Sequence, residues 1–189
     1  GLVVDTVNPV EDDFCLEVEV TSNRPDCLGF IGVAREVATI VRGKLDIPDV
    51  GYDTMGENIN DITSVTVEDN VLCQRYTARI IKDVKIGPSP GWLQKKISSI
   101  GLRPINNIVD ITNYVLMESG QPLHTFDFSR LSESRIVVRR AKKEETMEAI
   151  DGSKCTLTDD MLVIADSQKP VAIAGIMGGK EIEVTDTTK

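Results

Sequence analysis

The last third of this chain is a succession of short β signals, and that succession limits the fold more than any other feature. Arg135–Arg139, Glu148–Gly152, Leu162–Ala165 and Val171–Ile176 follow one another closely. Asp151-Gly152 is a strong hairpin pair. Two helical patterns come before them. Ser89-Pro90 opens the first, with Pro90 at its first position, Leu93, Ile97 and Ile100 facing the core, and Gly101 as its stop. Asn106 caps the second, which runs to about Met117 with an apolar stripe of Ile108, Ile111, Val115 and Leu116. Earlier still, Ser64–Glu68 and Arg75–Ile81 read as strands. Strand, helix, helix and then many strands predict an α+β fold with a mainly antiparallel sheet and packed helices, not a doubly wound sheet.

The N-terminal part has a different character. Leu16-Glu17-Val18-Glu19-Val20 alternates apolar and acidic, as a half-buried strand does. Thr21-Ser22-Asn23-Arg24-Pro25-Asp26 is a turn, either a strand-to-helix corner or a binding turn. Leu28, Ile31, Ala34, Ala38 and Val41 then recur at helical spacing, with Pro25 as the start signal and Gly43 as the stop. Residues 43–63 are rich in Gly, Asp, Pro and Asn and read as a linker. The expected division is a small strand–helix segment over 1–45, a linker over 46–63, and the main domain over 64–189.

Composition narrows the function classes. The net charge is −9, unevenly spread. Residues 1–70 hold 4 basic and 15 acidic residues, residues 71–141 hold 11 and 5, and the remainder 6 and 10. An acidic chain is not a typical free nucleic-acid binder, yet a basic middle can face a phosphate backbone locally. No apolar run approaches the roughly 20 residues that span a bilayer, so a membrane is not an expected partner, and DNA is not expected either. Cys15, Cys27, Cys73 and Cys155 form no C-x-x-C pair and read as reduced, mostly buried thiols of a cytoplasmic protein. With one histidine and no paired cysteines, no metal site is expected. The chain opens on Gly1 and ends in a polar run, and it reads as an excised fragment.

Candidate chemistry gathers around the lone histidine, in Gly120-Gln121-Pro122-Leu123-His124-Thr125-Phe126-Asp127. With an ordinary pKa near 6.5, His124 suits a general base, a neutral donor that orients substrate, or a satisfied structural residue beside Leu123 and Phe126. Gly178-Gly179 follows an apolar strand. Paired glycines let backbone N–H groups approach an anion or a carbonyl oxygen, or simply make a turn. No Rossmann fingerprint or P-loop is present. Thr112 and Asn113 lie mid-helix, where they face water or reach toward the His124 loop. Trp92 reads as a packing anchor. The residues give a candidate pocket and no substrate.

Two stretches then carry a resemblance. Thr21-Ser22-Asn23-Arg24-Pro25-Asp26-Cys27-Leu28-Gly29 with Gly32–Ala38 is similar to the later half of the B1 domain of the bacterial-type phenylalanyl-tRNA synthetase β subunit. Tyr76 through Gly179 resembles the B3/B4 editing module of that family, most specifically at Arg103–Tyr114, Gln121–Asp127 and Ala174–Gly179. The resemblance implies a layered B3/B4-type domain preceded by a partial B1 segment. It implies a parent ligase that charges tRNA-Phe using ATP and magnesium at its α subunit, in an (αβ)₂ assembly in the cytoplasm, with no cofactor on this fragment. It implies hydrolysis of mischarged Tyr-tRNA, needed because an apolar ring pocket rejects an added hydroxyl weakly. Carried over, the editing pocket comprises Thr112, Asn113, Pro122, His124, Gly178 and Gly179. His124, Gly178 and Gly179 are its catalytic candidates, with the two glycine N–H groups facing the oxyanion. A stand-alone editing hydrolase and a non-catalytic scaffold or RNA-binding module are the competing readings.

Overall fold

The computed structural model describes residues 2–11, 13–54 and 56–189. It divides into two compact units, and the chain crosses between them three times. The first holds residues 1–52 and 87–123; the second holds 53–86 and 124–189. Helices and a mainly antiparallel sheet occur together, the α+β architecture the element order predicts.

In the first unit, β1 (Val3–Val10) and β2 (Asp13–Glu19) form an antiparallel hairpin whose side chains are mostly exposed. The Arg24 turn is a corner held by charge. Its guanidinium reaches Asp26 (2.8 Å), Glu36 (2.8 Å) and the Cys27 sulfur (3.2 Å). Arg24 holds the Asp26 carboxyl down at about 2. Pro25 opens a short 3-10 turn over Pro25–Cys27, and the helix starts later, as α1 (Phe30–Val41). Its left-handed end is Arg42, and Gly43 follows by donating to Ala38 O (2.8 Å).

Two glycines let α1 pack tightly. A Cβ on Gly32 would lie 1.7 Å from Asp26 O, and one on Gly29 would lie 2.5 Å from Gly120 N. Backbone therefore meets backbone where α1 begins and α3 (Asn107–Ser119) ends. The rest of α1 is poorly covered: Phe30, Val37, Ile40 and Val41 are exposed. Amide exchange should accordingly be faster over Ile31–Val41 than over Ile111–Ser119. Equal or greater protection of α1, measured by exchange mass spectrometry, would show that something covers its apolar face.

Helix α2 (Gly91–Ser99) buries Leu93 and Ile97 and ends at left-handed Gly101. Trp92 departs from its expected role. It is 60% exposed and meets Tyr114 edge-on at 5.7 Å, because it sits one position outside the face defined by Leu93 and Ile97. Asn106 caps α3 by accepting from Ile108 N and Val109 N. The expected apolar stripe is only partly buried, since Ile111 and Leu116 keep exposed flanks. The most buried residue of α3 is Asp110, which accepts from Ser89 Oγ (2.5 Å) and Ile105 N (2.9 Å).

The second unit is built on a five-stranded sheet. Its strands are β3 (Ser64–Val67), β4 (Arg135–Arg140), β7 (Leu162–Ala165), β8 (Pro170–Ile173) and β9 (Met177–Gly178), hydrogen-bonded in that order. β3 and β4 are parallel; the other pairs are antiparallel. A hairpin of β5 (Thr146–Glu148) and β6 (Lys154–Thr156) is turned by Asp151-Gly152, with Gly152 left-handed at φ +83°. The expected strand over Arg75–Ile81 is not formed. Its residue types suit a strand, but a ladder also needs a partner, and β3 pairs only with β4. Tyr76 packs on the core instead.

The register places Val67, Val138, Ile164, Ala172 and Gly178 in one row across the sheet. That face carries the larger core, with Leu131, Ile136 and Ile182. The opposite face buries Val163, Ala165, Leu157 and Ala141. Along the row the side chains shrink from Val and Ile to Ala to none, so the core thins toward β9.

Candidate functional site

The apolar run expected over Val171–Ile176 is interrupted. β8 stops at Ile173, Gly175 makes the turn at φ +72°, and Ile176 N donates to Ile173 O (3.1 Å). Gly178 is thus a strand residue on the sheet edge, and the turn lies three residues earlier. The strand alternation fixes where its polar groups go. Gly179 N donates to Val171 O (2.8 Å), so its N–H is committed to the ladder. Gly178, the next residue along, turns its N–H and C=O away from β8. The carbonyl accepts from Ile150 N (2.9 Å), and the alternation turns the N–H to that same side, toward the Ala149-Ile150 segment that bridges to Gly179.

The space left by the missing Gly178 side chain is filled by His124. A Cβ there would lie 2.3 Å from His124 Cε1 and 2.4 Å from Nε2. Phe126 supports the imidazole edge-to-face at 4.8 Å. Thus the only histidine lies against the only glycine of the cross-sheet row. Gly179 is closed in differently: a Cβ on it would meet Val171 O at 2.7 Å and the Met147 sulfur at 3.4 Å.

His124 has an exposed flank, yet its packed side loses water. That desolvation pulls the imidazole below its usual 6.5, while Glu183 pushes the other way. The ring therefore holds a proton less readily than a free imidazole. A histidine NMR titration of this single-histidine chain should give a midpoint below 6.5. A midpoint above it would mean that Glu183 prevails. The sign for stability follows. Because the native ring binds its proton less readily than the unfolded one, stability should fall as pH drops below about 6.5.

Three of the six expected site residues meet in the second unit: His124, Gly178 and Gly179. The other three belong to the first unit. There Thr112 is half-buried and bonds back to Val109 O (2.7 Å), Asn113 is half-buried, and Pro122 is exposed. Sequence reasoning set Phe126 beside His124 but missed Ala172, whose small side chain continues the taper.

Comparison with known proteins defines the class. The family described as "B3/4 domain" matches residues 72–189, and this chain belongs to it. Two similar proteins share a name. The "Phenylalanine--tRNA ligase beta subunit" of Rhodopirellula baltica is 48% identical over 188 residues, covering 100% of this chain and 28% of that protein. The protein of the same name from Carboxydothermus hydrogenoformans is 49% identical over 180 residues, covering 94% of this chain and 22% of that protein. The chain thus spans about a quarter of these relatives' length. A crystal structure of an N-terminal fragment of the phenylalanyl-tRNA synthetase β-subunit from Pyrococcus horikoshii aligns with a TM-score of 0.48 at 16% identity, over 100% of this chain and 57% of that one.

Proposed function

We propose that this chain is the proofreading module of a phenylalanine–tRNA ligase β subunit, and that it hydrolyses tyrosine wrongly esterified to tRNA-Phe. The observation that carries this reading is the imidazole of His124 lying over Gly178, whose backbone N–H is turned away from β8 by the strand alternation. Ester hydrolysis needs a group that takes a proton from water and a donor for the oxyanion. Neutral His124 serves as the first, and Gly178 N–H as the second. Water adds to the ester carbonyl carbon while its proton passes to the imidazole. Collapse of the tetrahedral intermediate then breaks the bond to the ribose oxygen, which takes that proton back. Tyrosine and a free tRNA end result.

The names of the similar proteins support the choice of ester. Thr112, Asn113 and Pro122 stay in the proposal as substrate-binding residues, on the resemblance alone. In this reading the parent enzyme is cytoplasmic and pairs with an α subunit as (αβ)₂. ATP and magnesium act at that subunit, so this chain takes no cofactor. Residues 1–45 are the later part of B1, followed by the linker at 46–63 and the editing domain from 64 onward. The test is deacylation of preformed Tyr-tRNA-Phe by the complete enzyme containing this chain, with Phe-tRNA-Phe as the spared control. Equal rates on the two, or none on either, would overturn the reading.

A further inference from the structure

We infer that Asp127 is a positioning residue, which holds the His124 imidazole over Gly178 by latching its loop to the segment that follows β9. The inference rests on the hydrolytic reading of the His124–Gly178 pair. The loop from His124 to Asp127 has no strand partner to fix it. Its fixed point is Asp127, three residues beyond His124 and only 5% exposed. Asp127 N donates to Ile182 O (2.9 Å). One carboxylate oxygen accepts from Ser129 N (3.0 Å) and Ser129 Oγ (2.6 Å), which shapes the next turn. The other accepts from Thr188 Oγ1 (2.7 Å) and lies 3.6 Å from Arg130 Nε. Arg130 in turn donates to Glu181 O (3.2 Å).

These bonds join residues 127–130 to residues 181–188, directly after Gly178-Gly179. The two sides of the site are therefore fixed to each other by the Asp127 carboxylate, which takes Thr188, together with the Asp127 N–H and Arg130. The carboxylate suits this task. Burial opposes its charge, but the donors from Ser129 and Thr188 outweigh burial and hold it below the usual carboxylate range. It stays an acceptor near neutral pH. Asp127 touches no reacting atom in this scheme and acts through His124.

A lone histidine gives a direct readout. In NMR spectra of the 189-residue chain, the His124 ring carries a ring-current shift from Phe126 and a midpoint set by its packing. Asp127→Ala should free the loop, remove much of that shift and move the midpoint toward 6.5. Asp127→Asn keeps one carbonyl oxygen for Ser129 and presents an NH₂ to Thr188, whose hydroxyl can accept. It should restore most of both signals. Asp166→Ala removes a comparably buried carboxylate that accepts from Ser132 N, Gln168 N and Lys169 N. It should lower Tm and leave His124 unchanged.

In the complete enzyme, Asp127→Ala should lower kcat for Tyr-tRNA deacylation on the order of a hundredfold, as misplaced catalytic groups do, with KM little changed. An unmoved His124 signal in folded Asp127→Ala overturns the inference. If that variant does not fold, Thr188→Val removes one arm of the latch and should shift the same signals in the same direction; no shift there overturns it equally. A moved signal with undiminished hydrolysis supports the latch and sinks the hydrolytic reading instead.

Discussion

Replacing Gly178 by tryptophan in the complete enzyme should slow Tyr-tRNA deacylation by about a hundredfold or more, the usual cost of displacing a catalytic group from its working geometry. Phenylalanine charging should continue. The expectation rests on space. The first side-chain carbon already falls 2.3 Å from His124 Cε1, so even Gly178→Ala must expel the imidazole. Tryptophan would also fill the volume that the cross-sheet taper leaves open. His124→Ala should be milder, because water can enter where the ring was and no side chain blocks the approach of the ester to the Gly178 N–H. Purified variants would be compared on preformed Tyr-tRNA, with Tm as the folding control. Wild-type deacylation by Gly178→Trp would mean that the ester binds elsewhere. Loss of folding would make Gly178 a purely structural position.

The second large effect is on stability. Asp110→Ala should cost about 3 kcal/mol, because it strands the buried Ser89 Oγ and the partly buried Ile105 N and leaves a small void. For a chain of this size that corresponds to a fall in Tm of about 6–12 °C. Asp110→Asn should recover much of the loss. Its amide oxygen can accept from Ile105 N, and its NH₂ can donate to Ser89 once the hydroxyl reorients. Ser89→Ala should cost less than Asp110→Ala, since it orphans only one lone pair. A near-wild-type Tm for Asp110→Ala would mean that water reaches those donors, and that the buried carboxylate is dispensable.

The elements that sequence makes legible are those set by local chemistry. Asn106 caps α3, Asp151-Gly152 turns the β5–β6 hairpin, and Leu162–Ala165 is β7, because each depends on a few adjacent residues. What sequence leaves hidden depends on partners distant in the chain. Arg75–Ile81 has strand-forming residues but no ladder. Asp110 is buried because a loop hydroxyl and a loop amide converge on it, which no helical periodicity reveals. At the site, the residue types of His124, Gly178 and Gly179 attract attention unaided. Their different roles emerge only from register. One residue of offset commits the Gly179 N–H to Val171 and turns the Gly178 N–H away from β8. The Val, Ile, Ala, Gly taper exists only once four strands are aligned. Asp127 had a local signal, an Asp followed two residues on by Ser129, the pattern of a side-chain-closed turn. Its bond to Thr188 had none.

The central claim is that His124 and Gly178 form one hydrolytic site, and a double-mutant cycle tests it most directly. Tyr-tRNA deacylation would be measured for the complete enzyme with Gly178→Ala, His124→Ala and both together. If the alanine methyl acts by expelling the imidazole, the two losses overlap, and the double variant is no slower than the slower single one. Losses that simply multiply would place the two residues in separate roles. Full activity in all three variants would contradict the account outright.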